Sequence, residues 1–281
     1  MVNLDLRSLT LPVGIVRICE FVLTSICIGL VASVARENSS YWPWCMFTWC
    51  FCCFFTLFIL IMEFTRLHDK VPISWDDFTS AFAMLASLML FAVSVIYPTL
   101  FNQSKDGRMI GAATISWVCL ALYVVEVWLA SRKPGEISGF LSTIPGLLKI
   151  LETFVACIIF TALDPIRYSK LPGLQWCVAV YSLCFIFALL IILLTIAKLT
   201  SVFPFSFDKL AIVYNILALM MYMTAVVLWP LYAFQDNARP TPCNHCTWDD
   251  LVVVTFMTVI NLIVYSLDTA YSIRLVFLSR E

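Results

Sequence analysis

Eight apolar runs follow one another along the chain, each about the length a helix needs to cross a hydrocarbon core of roughly 30 Å. They lie near Val13–Ala35, Trp44–Phe64, Phe78–Leu100, Met109–Ala130, Leu147–Leu163, Leu174–Ala197, Leu210–Phe234 and Leu251–Ser272. The polar stretches between them are short, so almost no chain remains to build a soluble domain with its own core. The pattern predicts an all-α membrane protein of eight transmembrane helices.

The runs fall into two matching sets. Gly14, Arg17 and Glu20 recur as Gly146, Lys149 and Glu152, an offset of 132 residues (146 − 14). At the same spacing Pro72, Ser74 and Asp76 recur as Pro204, Ser206 and Asp208, and Tyr97-Pro98 recurs as Trp229-Pro230. Several motifs repeated at one spacing indicate a tandem duplication. The fourth helices match as well, Tyr123 and Glu126 with Tyr265 and Asp268, but at an offset of 142. Ten residues (142 − 132) are therefore inserted between Pro230 and Asp250 in the second copy. The units predicted are 1–140 and 141–281. Each holds four helices, an even number, so both copies enter the membrane the same way, as a parallel repeat.

Composition agrees with this class: 62% of the 281 residues are hydrophobic and 12% are charged, about half the usual charged share of a soluble domain. A net charge of −1 leaves no basic surface for a phosphate backbone, which excludes nucleic acid as a partner. Eleven of the 17 Lys and Arg residues fall on the side of both termini, and this excess predicts that both termini are cytosolic. Two glycosylation sequons, at Asn38 and Asn102, fall on the opposite, extracellular side. The first helix carries Arg17 and Glu20 and is predicted to be a retained anchor and not a cleaved signal.

Charge inside the membrane is the main candidate chemistry. Glu20, Glu63, Glu126, Glu152 and Asp268, with the cations Arg17 and Lys149, sit inside predicted helices, each in the cytoplasmic half. Such groups are expensive in lipid and mark either structural pairing or a path for protons or ions. The spacing of Arg17 to Glu20 and of Lys149 to Glu152 places each pair on one helix face, where the two can pair. The structural reading is an ion-pair and hydrogen-bond set that locks the helices together; the alternative is a transporter or channel that uses the acids.

Trp42, Trp44, Tyr97, Trp229, Tyr232 and Trp248 lie near the outer helix ends and are expected as interfacial anchors. Cys45, Cys50, Cys52 and Cys53 cluster in the second helix, where a thiol acts as a small hydrophobe. Cys243 and Cys246 form the one CxxC in the inserted outer loop, facing an oxidising space. A bond between them, a bond from the loop to Cys45, and free thiols all remain open. Zinc is disfavoured, because a closed site needs four ligands and the chain has two histidines. No HExxH, GxSxG or phosphate-cradling loop occurs, so no catalysis and no cofactor is expected.

The strings Met46–Cys52, Lys133–Ile137, Pro145–Cys157, Trp176–Tyr181 and Leu228–Tyr232 resemble the myeloid-associated differentiation marker family, and the likeness runs from about residue 11 to the C-terminus. The resemblance implies two tandem MARVEL domains, each a four-helix membrane unit. It further implies a non-enzymatic role in organising membrane domains, with membrane apposition, cell spreading or migration, and junction-related scaffolding as its settings. The partners it implies are membrane lipids of cholesterol-rich domains, other membrane or cortical proteins, and a further copy of the chain; the location is the plasma membrane.

Overall fold

A computed structural model describes residues 10–34, 41–101, 106–131, 143–163, 171–199, 207–235 and 247–278. Among the described residues eight long helices form: α1 Pro12–Ala32, α2 Tyr41–Phe64, α3 Trp75–Phe101, α4 Gly107–Ser131, α5 Ile144–Leu163, α6 Pro172–Ile196, α7 Phe207–Phe234 and α8 Thr247–Leu278, with a short 3-10 turn at Leu67–Lys70 after α2. All eight are long and apolar enough to cross a membrane. The largest departure from the expected boundaries is α8, 32 residues long, which starts four residues before the apolar run and continues past it.

Local sequence explains where the helices begin. Pro12 and Pro172 open α1 and α6, positions where a missing N–H is no loss. Before α3, the Ser74 hydroxyl donates to Asp77 Oδ2 at 2.6 Å. Before α4, Asp106 Oδ1 accepts from the Arg108 N–H at 3.0 Å, and before α5 Thr143 Oγ1 accepts from the Gly146 N–H at 3.4 Å. Asp106 and Thr143 thereby occupy donors that the first helical turn leaves without partners.

The chain divides into two compact units, Met1–Ser142 and Thr143–Glu281. In each, four helices form a closed ring in which every helix packs on its sequence neighbours and the last packs on the first: α4 on α1, and α8 on α5. Consecutive helices are antiparallel. Trp75, at the start of α3, reaches Glu63 at the end of α2, while Tyr97 late in α3 stacks on Trp49 early in α2 with ring centroids 5.2 Å apart.

Each unit has its own interior. In unit 1 it is built around Trp49, Tyr97, Phe82 and Tyr123; in unit 2, around Tyr181, Trp229, Tyr222 and Tyr265. The exposed side chains include Phe54, Val213 and Phe256, each more than 60% exposed. Buried polar residues and an apolar exterior are what a lipid solvent selects. Three of the six residues expected as interfacial anchors belong to these interiors: Trp42 (5% exposed), Tyr97 (1%) and Trp229 (0%). Their depth along the helix suits an interface, but their helix face turns inward. Trp44, Tyr232 and Trp248 are half-buried.

Candidate functional site

In unit 2 the site is built around a buried ammonium. Lys149 on α5, 1% exposed, donates to three oxygens at 2.6 Å each: Glu152 Oε2 on its own helix, Asn215 Oδ1 on α7 and Asp268 Oδ2 on α8. Three N–H bonds thus meet three acceptors, the full capacity of a lysine. The amide of Asn215 donates to Asp268 Oδ2 at 2.9 Å, and Ser272 supplies Asp268 Oδ1 at 3.1 Å. The rings of Tyr214 and Tyr265 lie 5.0 and 5.2 Å from the ammonium, within the range of cation–π attraction. Three of the four helices are tied to one nitrogen.

Unit 1 places a guanidinium at the matching position and spends it differently. Arg17 Nε donates to Glu126 Oε1 on α4, and Nη1 to Glu63 Oε1 on α2, both at 2.5 Å. Trp75 Nε1 donates to the same Glu63 oxygen at 3.1 Å, which brings in α3. Here the expected pairing along the helix fails. Glu20, 0% exposed, does not take the Arg17 guanidinium, and neither of its oxygens has a hydrogen-bond donor among the described residues. Both cations reach across the ring to the last helix of their unit, but only Lys149 also holds the acid one turn away on its own helix.

Comparing equivalent positions shows how the copies diverged. Glu63 corresponds to Thr195, and Asn215 to Ala83, at the offset of 132. The third group on the cation therefore comes from the second helix in unit 1 and from the third helix in unit 2. The same shift occurs one layer deeper. The buried hydroxyl of Tyr123 pairs with Thr56 on α2 at 2.6 Å, while its counterpart Tyr265 pairs with Tyr214 on α7 at 2.9 Å. Deeper still, Trp49 Nε1 donates to Ser116 at 3.0 Å where Tyr181 meets Thr258 at 2.8 Å. Both units keep a polar column from the charged end to mid-bundle, satisfied by different residues.

The structure therefore brings Arg17, Glu63 and Glu126 together, and separately Lys149, Glu152 and Asp268. Glu20 stays in the interior of unit 1 beside Glu126 and off the guanidinium. Asn215 and Trp75 were not singled out from sequence. A lone amide in an apolar run was the available signal for Asn215; nothing distinguished Trp75 from an anchor. Cys243, Cys246, Asn38 and Asn102 lie outside the described residues. Among the described cysteines, Cys45 and Cys52 are buried, Cys53 is intermediate and Cys50 exposed, all as free thiols. No group of His, Cys, Asp and Glu among the described residues could hold a metal ion. What the clusters do chemically is neutralise and hydrogen-bond one another across helices.

The membrane-associating domain MARVEL matches the chain twice, over residues 8–129 and 140–271. The chain is 42% identical to the myeloid-associated differentiation marker of Homo sapiens over 291 residues, covering 96% of this chain and 90% of that one. It is 39% identical to a homolog of that marker in Xenopus laevis over 292 residues, 97% and 95% of the two chains. With the human marker-like protein 2 it shares 37% over 292 residues, 98% and 95% of the two chains. No solved structure matches.

Proposed function

The chain belongs to the myeloid-associated differentiation marker family and carries two MARVEL domains, and on that premise we propose that this multi-pass membrane protein organises membrane domains without catalysing a reaction. Its work is lateral: sorting among lipids of cholesterol-rich regions, and scaffolding at apposed membranes, junctions or the edges of spreading and migrating cells. Membrane or cortical proteins and further copies of the chain are its partners. The location is the plasma membrane with both termini cytosolic, a reading supported by the eleven cations on that side.

The observation that carries the proposal is the direction of the polar groups. The buried charged clusters of each unit bond across helices, and the large exposed side chains along the helices are apolar, most of them Leu, Ile, Val and Phe, so the surface offered outward is made for lipid and for other membrane helices. Cross-linking with photoactivatable sterol and phospholipid analogues, followed by purification and lipid analysis, tests it. Sterol enriched over the bulk membrane supports the reading; captured lipid of bulk composition overturns it. Protease added outside intact cells tests the topology, since tags at residues 1 and 281 are then protected.

A transporter or channel is the second reading, favoured by one observation, the two buried carboxyls of Glu20 and Glu126 side by side at the charged end of unit 1. Electrogenic flux in proteoliposomes that disappears with Glu126→Gln would establish transport.

A further inference from the structure

The charged cluster of unit 1 holds one acid more than that of unit 2. Glu20, Glu63 and Glu126 gather at the single guanidinium of Arg17, whereas Glu152 and Asp268 share the Lys149 ammonium. With every acid ionised, one cation against three acids leaves unit 1 at −2, and one against two leaves unit 2 at −1. The surplus falls on Glu20 and Glu126, 0% and 2% exposed. Two carboxylates side by side and away from water repel strongly, and such pairs keep one proton between them.

The contacts locate that proton. Arg17 takes Glu126 Oε1 and Glu63 Oε1. Among the described residues no N–H or alcohol reaches Glu126 Oε2 or either oxygen of Glu20, yet the two carboxyls are hydrogen-bonded to each other. An ionised carboxylate only accepts, so one of the two must carry the hydrogen. The other helices packed on α1 are α2 and α4. The titratable groups facing Glu20 from them are Cys52 on α2 and Glu126, Tyr123 and Cys119 on α4, with Arg17 and Cys19 on α1 itself and Glu63 across the guanidinium. Arg17 is the one cation in this set, and its bonds go to the other two acids. Unit 2 shows what bridges the pair there. Glu152 and Asp268 are the equivalents of Glu20 and Glu126 at the offsets of 132 and 142, and the Lys149 ammonium lies 2.6 Å from each.

We propose that Glu20 and Glu126 form a proton-binding site, which at neutral pH holds one proton between the Glu20 carboxyl and Glu126 Oε2. Binding makes one O–H bond from a free proton and the electron pair of one carboxylate oxygen, and consumes nothing else. It leaves unit 1 with one cation and two carboxylates, the same balance as unit 2. It also gives α1 and α4 a second bond beside the one from Arg17 to Glu126, so the proton stands where Lys149 stands in the other copy and helps to close the ring. The site is independent of whether the chain organises lipids or moves ions.

Infrared spectroscopy of the full chain in phosphatidylcholine nanodiscs at neutral pH tests the proposal, because a protonated carboxyl absorbs apart from an ionised one and isotope-labelled glutamate shifts the glutamate bands alone. The wild type is expected to show a protonated-glutamate band. Glu20→Gln keeps the shape of the acid and a donor for Glu126, so it folds, and the band loses the intensity of one carboxyl. Glu126→Gln is expected to lose the same intensity, since Glu20 then has no carboxylate to share a proton with and joins Glu63 as one of two acids on Arg17. A wild type without a protonated-glutamate band overturns the proposal whatever the variants do. An unchanged band in Glu20→Gln also overturns it, by placing the proton on another acid. Intensity lost in Glu20→Gln but kept in Glu126→Gln overturns the shared site, because burial of Glu20 alone would then hold the proton.

Discussion

Lys149 Nζ lies 2.6 Å from Asp268 Oδ2, a bond between residues 119 apart in sequence that joins the first helix of unit 2 to its last and closes the ring. The same nitrogen bonds Glu152 and Asn215, so charge neutralisation and helix assembly depend on a single atom. A buried cation of this kind is an asymmetric element. Removing it strands two acids, whereas removing one acid leaves a matched pair.

That asymmetry orders a mutant series. Lys149→Met is expected to destabilise the protein by about 3–5 kcal/mol, the range for breaking a buried pair from one side. Glu152→Gln keeps Asp268 and Asn215 on the ammonium and is expected to lose about 1 kcal/mol, the worth of one hydrogen bond. The triple variant Lys149→Met/Glu152→Gln/Asp268→Asn recovers part of the loss seen with Lys149→Met. Thermal unfolding in one detergent ranks them; Glu152→Gln as damaging as Lys149→Met would refute the hub role.

Thr56 and Tyr214 perform one task from different helices, satisfying the hydroxyl of Tyr123 in unit 1 and of Tyr265 in unit 2. Thr56→Ala leaves the Tyr123 hydroxyl with a single long contact, 3.5 Å to Cys52 O, and is expected to destabilise by about 1–3 kcal/mol. Phe82 corresponds to Tyr214 and packs edge-on against Tyr123 with centroids 6.1 Å apart. Adding Phe82→Tyr imports the unit 2 solution and should restore most of the loss. If the double variant unfolds at the midpoint of Thr56→Ala alone, the two arrangements are not interchangeable.

The aromatic pair toward the outer end of each bundle is also exchanged between copies. Trp49 faces Tyr97 in unit 1, and Tyr181 faces Trp229 in unit 2 with centroids 6.1 Å apart. Total volume is kept while the larger ring changes helix. Cores tolerate such swaps when volume is conserved, so Trp49→Tyr/Tyr97→Trp is expected to be more stable than the sum of its single changes predicts, by about 0.5–3 kcal/mol for residues in contact. Strict additivity in a double-mutant cycle on unfolding midpoints would count against the pairing.

How much of this could be read from the chain depends on the range of each interaction. Eight apolar runs and a fixed offset are patterns along the sequence, and they led directly to eight helices in two sets. The partner of Lys149 one turn away was visible in the spacing to Glu152. The partners of Arg17 were not, because Glu63 and Glu126 reach it only after the ring brings α2 and α4 against α1. Spacing told which residues share a face, not which face turns inward, so Tyr97 and Trp229 read as anchors when they are interior residues. The left-handed turns at Arg66 and Lys198, with φ of 51° and 55°, had no signal at all, since the residue type expected there is glycine.

Glu20 separates a structural acid from one kept for another reason. It and Glu126 are both buried in unit 1, but Glu126 accepts the Arg17 guanidinium at 2.5 Å while neither oxygen of Glu20 has a donor among the described residues. Glu20 lies beside Glu126 and off the guanidinium, so replacing it with an apolar side chain of similar size removes a desolvation penalty and leaves the Arg17 bonds in place. Glu20→Leu is therefore expected to leave stability within about 1 kcal/mol of the wild type or above it, while Glu126→Leu strips Arg17 of a partner and loses about 3–5 kcal/mol. Thermal unfolding of both variants in the same detergent makes the comparison. A Glu20→Leu protein as unstable as Glu126→Leu would mean that the Glu20–Glu126 contact holds the fold as much as the Arg17 clamp does. A stable Glu20→Leu protein, assayed for flux beside the wild type, then tests the transport reading without the confounding loss of the Arg17 clamp.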